Sequence, residues 1–491
     1  MDRGEAERLY DSGKQPTVEK LLEYDRENGQ LKQRIARLET SSQSSSKPPS
    51  TDSPSARRGR SPSSRRRSRR GKAGGQPGHR GSNRTLLPPE EVDKVVSCYP
   101  SECVVCPNFP KCRSAEKTAE PFRWQVTEIQ PIRPTVTEYQ VHTLSGRCGE
   151  VHRGNVPEEA TRSNFGPRLL ALCAYFTAVL HLPRRLLKDC LRTVFGVHVA
   201  LGSTQNLLRQ TSEALAPIDQ QLKNALPQQE VINADESGWY RRWIWIFVTK
   251  GFIYFHIAAS RSSTVLVELL GKIYEGILCV DRWGAYTRYH LRKDHQGLLQ
   301  ICWAHLKRDI LGIKELGNKT GSQDARAFAR RMEYLRRRLM ALWYPVKTGT
   351  RTRTWLKRKA ARLQGSIRRC LEDYQESSDP KVRSFARRLL KLFPHLFTFI
   401  EHEGVEPTNN SSERGIRVAV LWRKICFGNK TDEGAILSAR LLTVTRTCWL
   451  QERNALEFLV QAISAHRTSS PPPSLLSQNE AQAAYRAELL R

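Results

Sequence analysis

The alternation of apolar and polar positions changes character several times along the chain, and each change predicts a different element. Between residues 18 and 40, Leu21, Tyr24, Asn28, Leu31, Ile35 and Leu38 recur at spacings of three and four. This is the a/d pattern of a coiled coil, with a polar Asn available to fix register and dimer state. The alternative is a lone amphipathic helix docked on its own domain. From Ser41 to about Pro89 apolar residues nearly vanish, so no core can form and disorder is predicted. Residues 124–143 read as β-like. Helical periodicity returns over Pro167–Leu180, Arg184–Phe195 and Ser203–Leu215, with Ser203 as N-cap of the last. Leu169 to Leu182 is the longest apolar segment, but Thr177 and His181 interrupt it and Pro183 stops it. It therefore suits a buried helix and not a membrane span.

Residues 231–281 hold the densest β signal. Val231 to Ala234 runs into Asp235; Trp243–Val248 and Phe252–Ile257 follow as two β-rich runs around a Lys250-Gly251 turn. A short helical stretch, Thr264–Leu270, then leads to Gly276–Val280 and Asp281. Three successive strands, a crossover helix and a parallel strand place one acid on the first strand and another at the end of the fourth. Leu298–Cys302 is a candidate fifth strand, running into Trp303-Ala304-His305.

Two carboxylates brought together repel by about 4 kcal/mol at 4 Å and an effective dielectric near 20, so such a site usually supplies cations. Hard oxygen donors favour magnesium or manganese, and the matching chemistry is two-metal displacement at phosphorus. The plainer reading is that Asp235 opens a turn with Ser237-Gly238 and that Asp281 caps the next helix.

Charge narrows the choice of partner. Lys+Arg 80 against Asp+Glu 49 gives a net +31 in 491 residues, which points to a polyanion, and nucleic acid above all. Eleven of these charges stand between Asp52 and Glu90 with no acid among them, including Arg57, Arg58, Arg65, Arg66, Arg67, Arg69 and Arg70. They form an arm for phosphate backbone. A second basic block, residues 326–391, carries twenty Arg/Lys against five Asp/Glu in helical periodicity and reads as an insertion that grips DNA. The helices joined through Gly196–Val199 have helix-turn-helix proportions, with Gln205, Asn206, Arg209 and Gln210 facing outward, although any helix has a polar face. Arg209, His305, Arg308 and Arg414 complete the DNA-contact candidates.

No segment has the apolar core of a signal peptide or a span. Twelve cysteines in so long a chain do not make a disulfide scaffold. Cys98, Cys103, Cys106 and Cys112 cluster, and Cys148 follows with His152. One CxxC knuckle is a zinc signal; Ser145 stands where a second knuckle needs its first sulfur. Further on, Glu406 to Arg414 opens a helix. There Glu413 is either a capping-box residue beneath an Asn410 cap, paired with Arg417, or a third acid facing Asp235 and Asp281.

Taken together, Ser45–Ser50, Gly74–Gly81, Leu86–Glu90, the cysteine knuckle, Ala234-Asp235-Glu236-Ser237-Gly238, Asp281–Tyr286, Cys302–His305 and Glu406–Arg414 make the chain resemble the bacterial insertion-sequence-sixty-six transposases, specifically their large DDE subunit. The resemblance implies a multidomain α/β protein whose ribonuclease-H-like catalytic domain, 230–309 with 406–466, holds Mg2+ or Mn2+ on Asp235, Asp281 and Glu413. It implies cleavage and strand transfer of transposon ends in double-stranded DNA, in the bacterial cytoplasm, by a homodimer or larger synaptic assembly with small accessory proteins as possible partners. The remaining segments are a coiled coil (1–45), a basic arm (46–90), a zinc module (91–160), a helical DNA-binding domain (161–229), the basic insertion (310–405) and a tail (467–491). A DNA-binding regulator that does not cut is the competing expectation; it would not need the three acids.

Overall fold

A computed structural model describes residues 10–11, 13–38, 85–114, 121–147, 149–290 and 297–477. Arg57, Arg58, Arg65, Arg66, Arg67, Arg69 and Arg70, and with them the arm, lie outside the described residues, as does Cys148. The chain divides into two compact units, residues 60–133 and the remainder. In the larger one, after α1 (Lys14–Leu38), a five-stranded mixed sheet is the centre. The helical segments of the chain outnumber its strands.

Within that unit a two-stranded pair, β1 Thr143–Ser145 and β2 Val151–Arg153, precedes the main sheet, whose order is β5-β4-β3-β6-β7, with β3 Val231–Trp239, β4 Arg242–Val248, β5 Ile253–Ala258, β6 Ile277–Val280 and β7 Leu298–Ile301. The first three strands are antiparallel neighbours, and β6 and β7 run parallel to β3. This follows the order of β signals in the chain. Short turns join β3, β4 and β5, whereas return to a parallel neighbour needs the helical crossover Ser263–Leu270. The plainer reading of Asp235 as a turn residue fails, because strand pairing continues past it to Trp239.

Both edge strands of the sheet bond to helical segments of the same chain. On β5 the backbone N–H groups of Ile253 and Phe255 donate to Thr447 and Thr443 Oγ1, 3.0 and 2.9 Å away. The two threonines, one helical turn apart on the helix Asp432–Leu450, occupy the positions a further strand would take. On β7, Thr398 Oγ1 donates to the Leu299 carbonyl and the Phe399 N–H donates to Gln300 Oε1 at 2.8 Å.

The helix Asn410–Cys426 lies against β3 and β4. A Cβ built on Gly415 would stand 2.5 Å from Ile246 Cδ1, so this helix approaches the sheet as closely as glycine permits. Gly415→Ala is expected to lower stability by about 1–3 kcal/mol through overpacking. Ile246→Val beside it should return part of that loss in chemical denaturation; no recovery would mean that the contact is not the cause.

The helices Pro167–Ala178 and Leu201–Ala214 pack against Asp432–Leu450 and Ala455–Arg467, and their apolar residues join the same continuous core as the sheet. The second of them begins at Leu201 with Ala200 in the cap position; Ser203 is inside the helix and does not cap it. Helices Trp303–Thr320, Gln323–Lys347, Arg353–Tyr374 and Pro380–Lys391 pack in succession around Phe328, Met332, Leu339, Leu356, Ile367 and Leu389. Arg337, Arg338, Lys357, Arg358, Arg362 and Arg369 stay exposed. The N-terminal helix α1 lies beside Trp303–Thr320 of its own chain, yet Leu21, Leu22 and Leu31 remain exposed.

The expected β-like stretch 124–143 is overturned. Strand pairing in this part is confined to Thr143–Ser145 with Val151–Arg153, and Trp124, Val126, Ile129 and Val136 are exposed. Alternation of apolar residues favours a strand only where a neighbour offers the other half of the ladder. In the smaller unit, residues 60–133, the backbone of Leu87 exchanges hydrogen bonds with the Gln125 amide and Tyr99 packs edge-on against Phe109.

Candidate active site

The parallel ladder pairs Asn233 with Cys279. Extending that register two residues, on strands about 4.8 Å apart, sets Asp235 opposite Asp281, which lies one residue past the end of β6, and the charge of Asp281 acts on Asp235. Burial, the Glu236 carboxylate and Asp281 push the Asp235 pKa well up, the adjacent Glu236 N–H (2.9 Å) only partly opposes this, and Glu413 adds to the rise. Burial and the charge of Glu236 raise Asp281 to about 6, against the Trp283 N–H and the arginines 261 and 282. That N–H donates to Asp281 Oδ1 at 2.7 Å, one residue ahead of the helix Gly284–His290, so Asp281 holds the approach to the helix it is expected to cap while lying near Asp235. Among the described residues no lysine, arginine or histidine forms an ion pair with either aspartate.

Glu413 reaches this place through the pleat. Asp235 is opposite Ile246 on β4, and directly opposed residues share a face of the sheet. Gly415 lies over Ile246 and Val248, so the helix Asn410–Cys426 covers the face that carries Asp235, with Glu413 in its first turn. The helix start is pinned twice: Asn409 Nδ2 donates to the Ala234 carbonyl at 2.7 Å, and the Asn409 N–H to Cys302 Sγ at 3.1 Å. The capping box does not form. Asn409 takes the cap position without a side-chain cap bond: its Nδ2 donates to β3 and its Oδ1 accepts no N–H of the first turn.

The Glu413 carboxylate accepts from Arg308 Nη2 at 2.9 Å, in place of the expected pairing with Arg417. His305 Nδ1 is 3.3 Å from the same oxygen but lacks hydrogen-bond geometry. Burial and the guanidiniums of Arg308 and Arg282 push His305 down to about 3, so its ring is neutral. Cys302 Sγ, the His305 ring and Glu413 offer donor atoms within 4.8 Å of one another. Burial holds the Cys302 thiol protonated, with its pKa up at about 11, and two guanidiniums face the histidine. This set therefore supports Glu413 better than it would hold a cation of its own.

Sequence reasoning missed the layer on the opposite face of β3. Glu236, its side chain 1 % exposed, accepts from Arg261 Nε and Nη2 at 2.9 and 2.6 Å and from the Tyr286 hydroxyl. The Arg261 guanidinium carbon lies 3.8 Å from the centre of the Trp283 ring and 4.6 Å from that of Trp243. Glu236 adjoins Asp235 in sequence, and strand alternation alone sends it to the other side. Arg261 sits in no motif that would single it out.

The other candidates scatter. Arg209 is exposed and pairs with Glu213 at 2.6 Å; Arg414 is exposed. Cys98 and Cys103 are exposed and Cys106 is half-buried. Among the described residues these three are not gathered into a metal-ligand group, and the Cys112 side chain lies outside what is described. No described helix is long and apolar enough to cross a membrane.

Comparison with known families gives two matches. The family described as Transposase IS66 family matches residues 162–436, which include the whole sheet and all three acids. A family of unknown function, DUF6444, matches residues 7–85. No curated protein matches the chain.

Proposed function

The chain belongs to the IS66 transposase family, and from that premise we propose that Asp235, Asp281 and Glu413 form a DDE centre that nicks transposon ends and transfers the freed strand. The single observation that carries this reading is that the charges of both Asp281, just past the end of β6, and Glu413, in the first turn of the helix over β3, act on buried Asp235, with which no cation of the described chain pairs; the three carboxylates are not drawn within 4.8 Å of one another. The strand order supports assigning the sheet to the ribonuclease-H-like class.

The donor set fits magnesium or manganese, being all oxygen, anionic and too repulsive to persist fully ionised alone. When bound, two such ions would supply Lewis-acid activation of water or of a 3′-hydroxyl, and stabilise the leaving oxygen. The chain's own part is positional. Asn409 fastens the first turn of the Glu413 helix to β3, and Arg308 fixes the direction of the carboxylate. Neutral His305 fills the space beside it without carrying a competing positive charge. The exposed arginines and lysines of 326–391 are suited to phosphate backbone and would set affinity and not sequence. We also assign Arg209 and Arg414 to DNA contact, the arm at 46–90 to non-specific attraction, the knuckle at 91–160 to structural zinc, and the N-terminal helix to pairing of two subunits.

The test is nicking of a supercoiled plasmid carrying the ends of the element that encodes the protein. Glu413→Ala is expected to abolish nicking while retaining plasmid binding. Arg308→Ala should lower nicking about 10- to 100-fold, the usual effect of losing a partner that orients a metal ligand, and raise the Mg2+ concentration needed. Equal nicking by wild type and Glu413→Ala would end the proposal and leave a DNA-binding protein that does not cut at this site.

A further inference from the structure

Trp283 is only two residues beyond Asp281, yet the residue is 40 % exposed and none of the roles assigned above uses its indole. It is also unusually well fixed. Its N–H donates to Asp281 Oδ1 at 2.7 Å, its indole Nε1–H donates to the Arg261 carbonyl at 3.3 Å, and the Arg261 guanidinium stacks 3.8 Å from the ring centre. Arg261 in turn is held by buried Glu236, and its guanidinium carbon lies 4.6 Å from the centre of the Trp243 ring. One end of this stack is anchored in the core and the other is an exposed aromatic surface beside the reacting carboxylates.

A large apolar ring left in water costs free energy unless something covers it, and here the ring is oriented by two contacts of its own, the Nε1–H bond and the guanidinium stack, as a group met in one orientation would require. The positive charge of Arg261 is balanced by Glu236, so the surface is no phosphate site. What remains is a flat π-face, which any nucleobase can stack on. A base inside an intact duplex does not present its face, so the ligand must be a frayed or extruded base.

We infer that Trp283, backed by Arg261 and Glu236, is a stacking platform for one unpaired base next to the scissile phosphate, and that it helps hold the transposon end open. The inference rests on the reading of Asp235, Asp281 and Glu413 as the reacting centre. Trp283 is a binding residue here, touching the nucleotide and not the reacting atoms.

The test reads binding without cleavage. Full-length protein carrying Asp235→Asn is titrated with two duplexes of the element's end, one fully paired and one with mismatched terminal base pairs that carry 2-aminopurine. The mismatched end is expected to bind roughly tenfold tighter, the scale of one base–aromatic stack, with its fluorescence quenched on binding. Adding Trp283→Leu should remove both the preference and the quenching while affinity for the paired duplex stays. Trp283→Phe should keep them. If Trp283→Leu retains the preference and the quenching, or if the unsubstituted protein shows neither, the platform is refuted. Either result leaves the plasmid-nicking assay of Glu413 to stand or fall separately.

Discussion

Asp235→Asn is expected to reduce nicking of transposon ends by about a thousandfold or more and to leave the protein as stable as before, or more so. The first part follows from the proposed role of Asp235 as a metal-holding carboxylate, which would contribute several kcal/mol of charge stabilisation in the transition state, each 1.4 kcal/mol being worth about tenfold in rate. The second follows from the surroundings of Asp235. Burial and the neighbouring acids Glu236 and Asp281 all oppose its ionised form. A neutral amide of the same shape relieves that repulsion, in keeping with the general conflict between stability and a poised site. Gel assays of nicking and binding, with a melting curve for each protein, check both halves. A variant that melts well below wild type would show that Asp235 serves the fold and not the chemistry.

The second large effect concerns pH and metal together. Without metal, the pKa of Asp281 is raised from 3.8 to about 6 in the folded protein. The native state therefore binds this proton more tightly than the unfolded chain does. Its contribution is intact below about pH 4 and is lost as pH rises through 6, a cost on the order of 3 kcal/mol at neutral pH. Asp235 shifts in the same direction. A divalent cation would cancel that repulsion, so Mg2+ or Mn2+ should raise the melting temperature by several degrees at pH 8, and by much less at pH 5, where protons compete for the same oxygens. Thermal scans with and without metal at the two pH values measure this. An equal rise in wild type and Asp235→Asn would place the ions elsewhere.

The sheet was legible because its signals are local. The β-rich runs from Val231 to Val280, the Lys250-Gly251 turn and the helix before Ile277 dictate a parallel return, and the alternation within β3 then fixes which side Asp235 takes. Glu413 was legible only as one of two alternatives. Whether a first-turn glutamate caps its helix or faces a distant strand depends on what Asn409 binds, and Ala234 is 175 residues away from it in sequence. The Glu236–Arg261–Trp283 stack was not legible at all, since its members become neighbours only through packing. The stretch around Trp124 and Val136 misled for the opposite reason, having strand-like alternation without a neighbouring strand.

The threonines on β5 and the Thr398 region on β7 have a consequence for how copies of this protein can assemble. With the Ile253 and Phe255 N–H groups on β5 and the Leu299 carbonyl on β7 already taken by the molecule's own helices, fewer backbone groups remain through which two copies could fuse their sheets into one continuous ribbon. Were two copies to come together as the proposed function requires, helical surfaces or bound DNA would have to bridge them, which would leave the end of the sheet with Asp235 and Asp281 open.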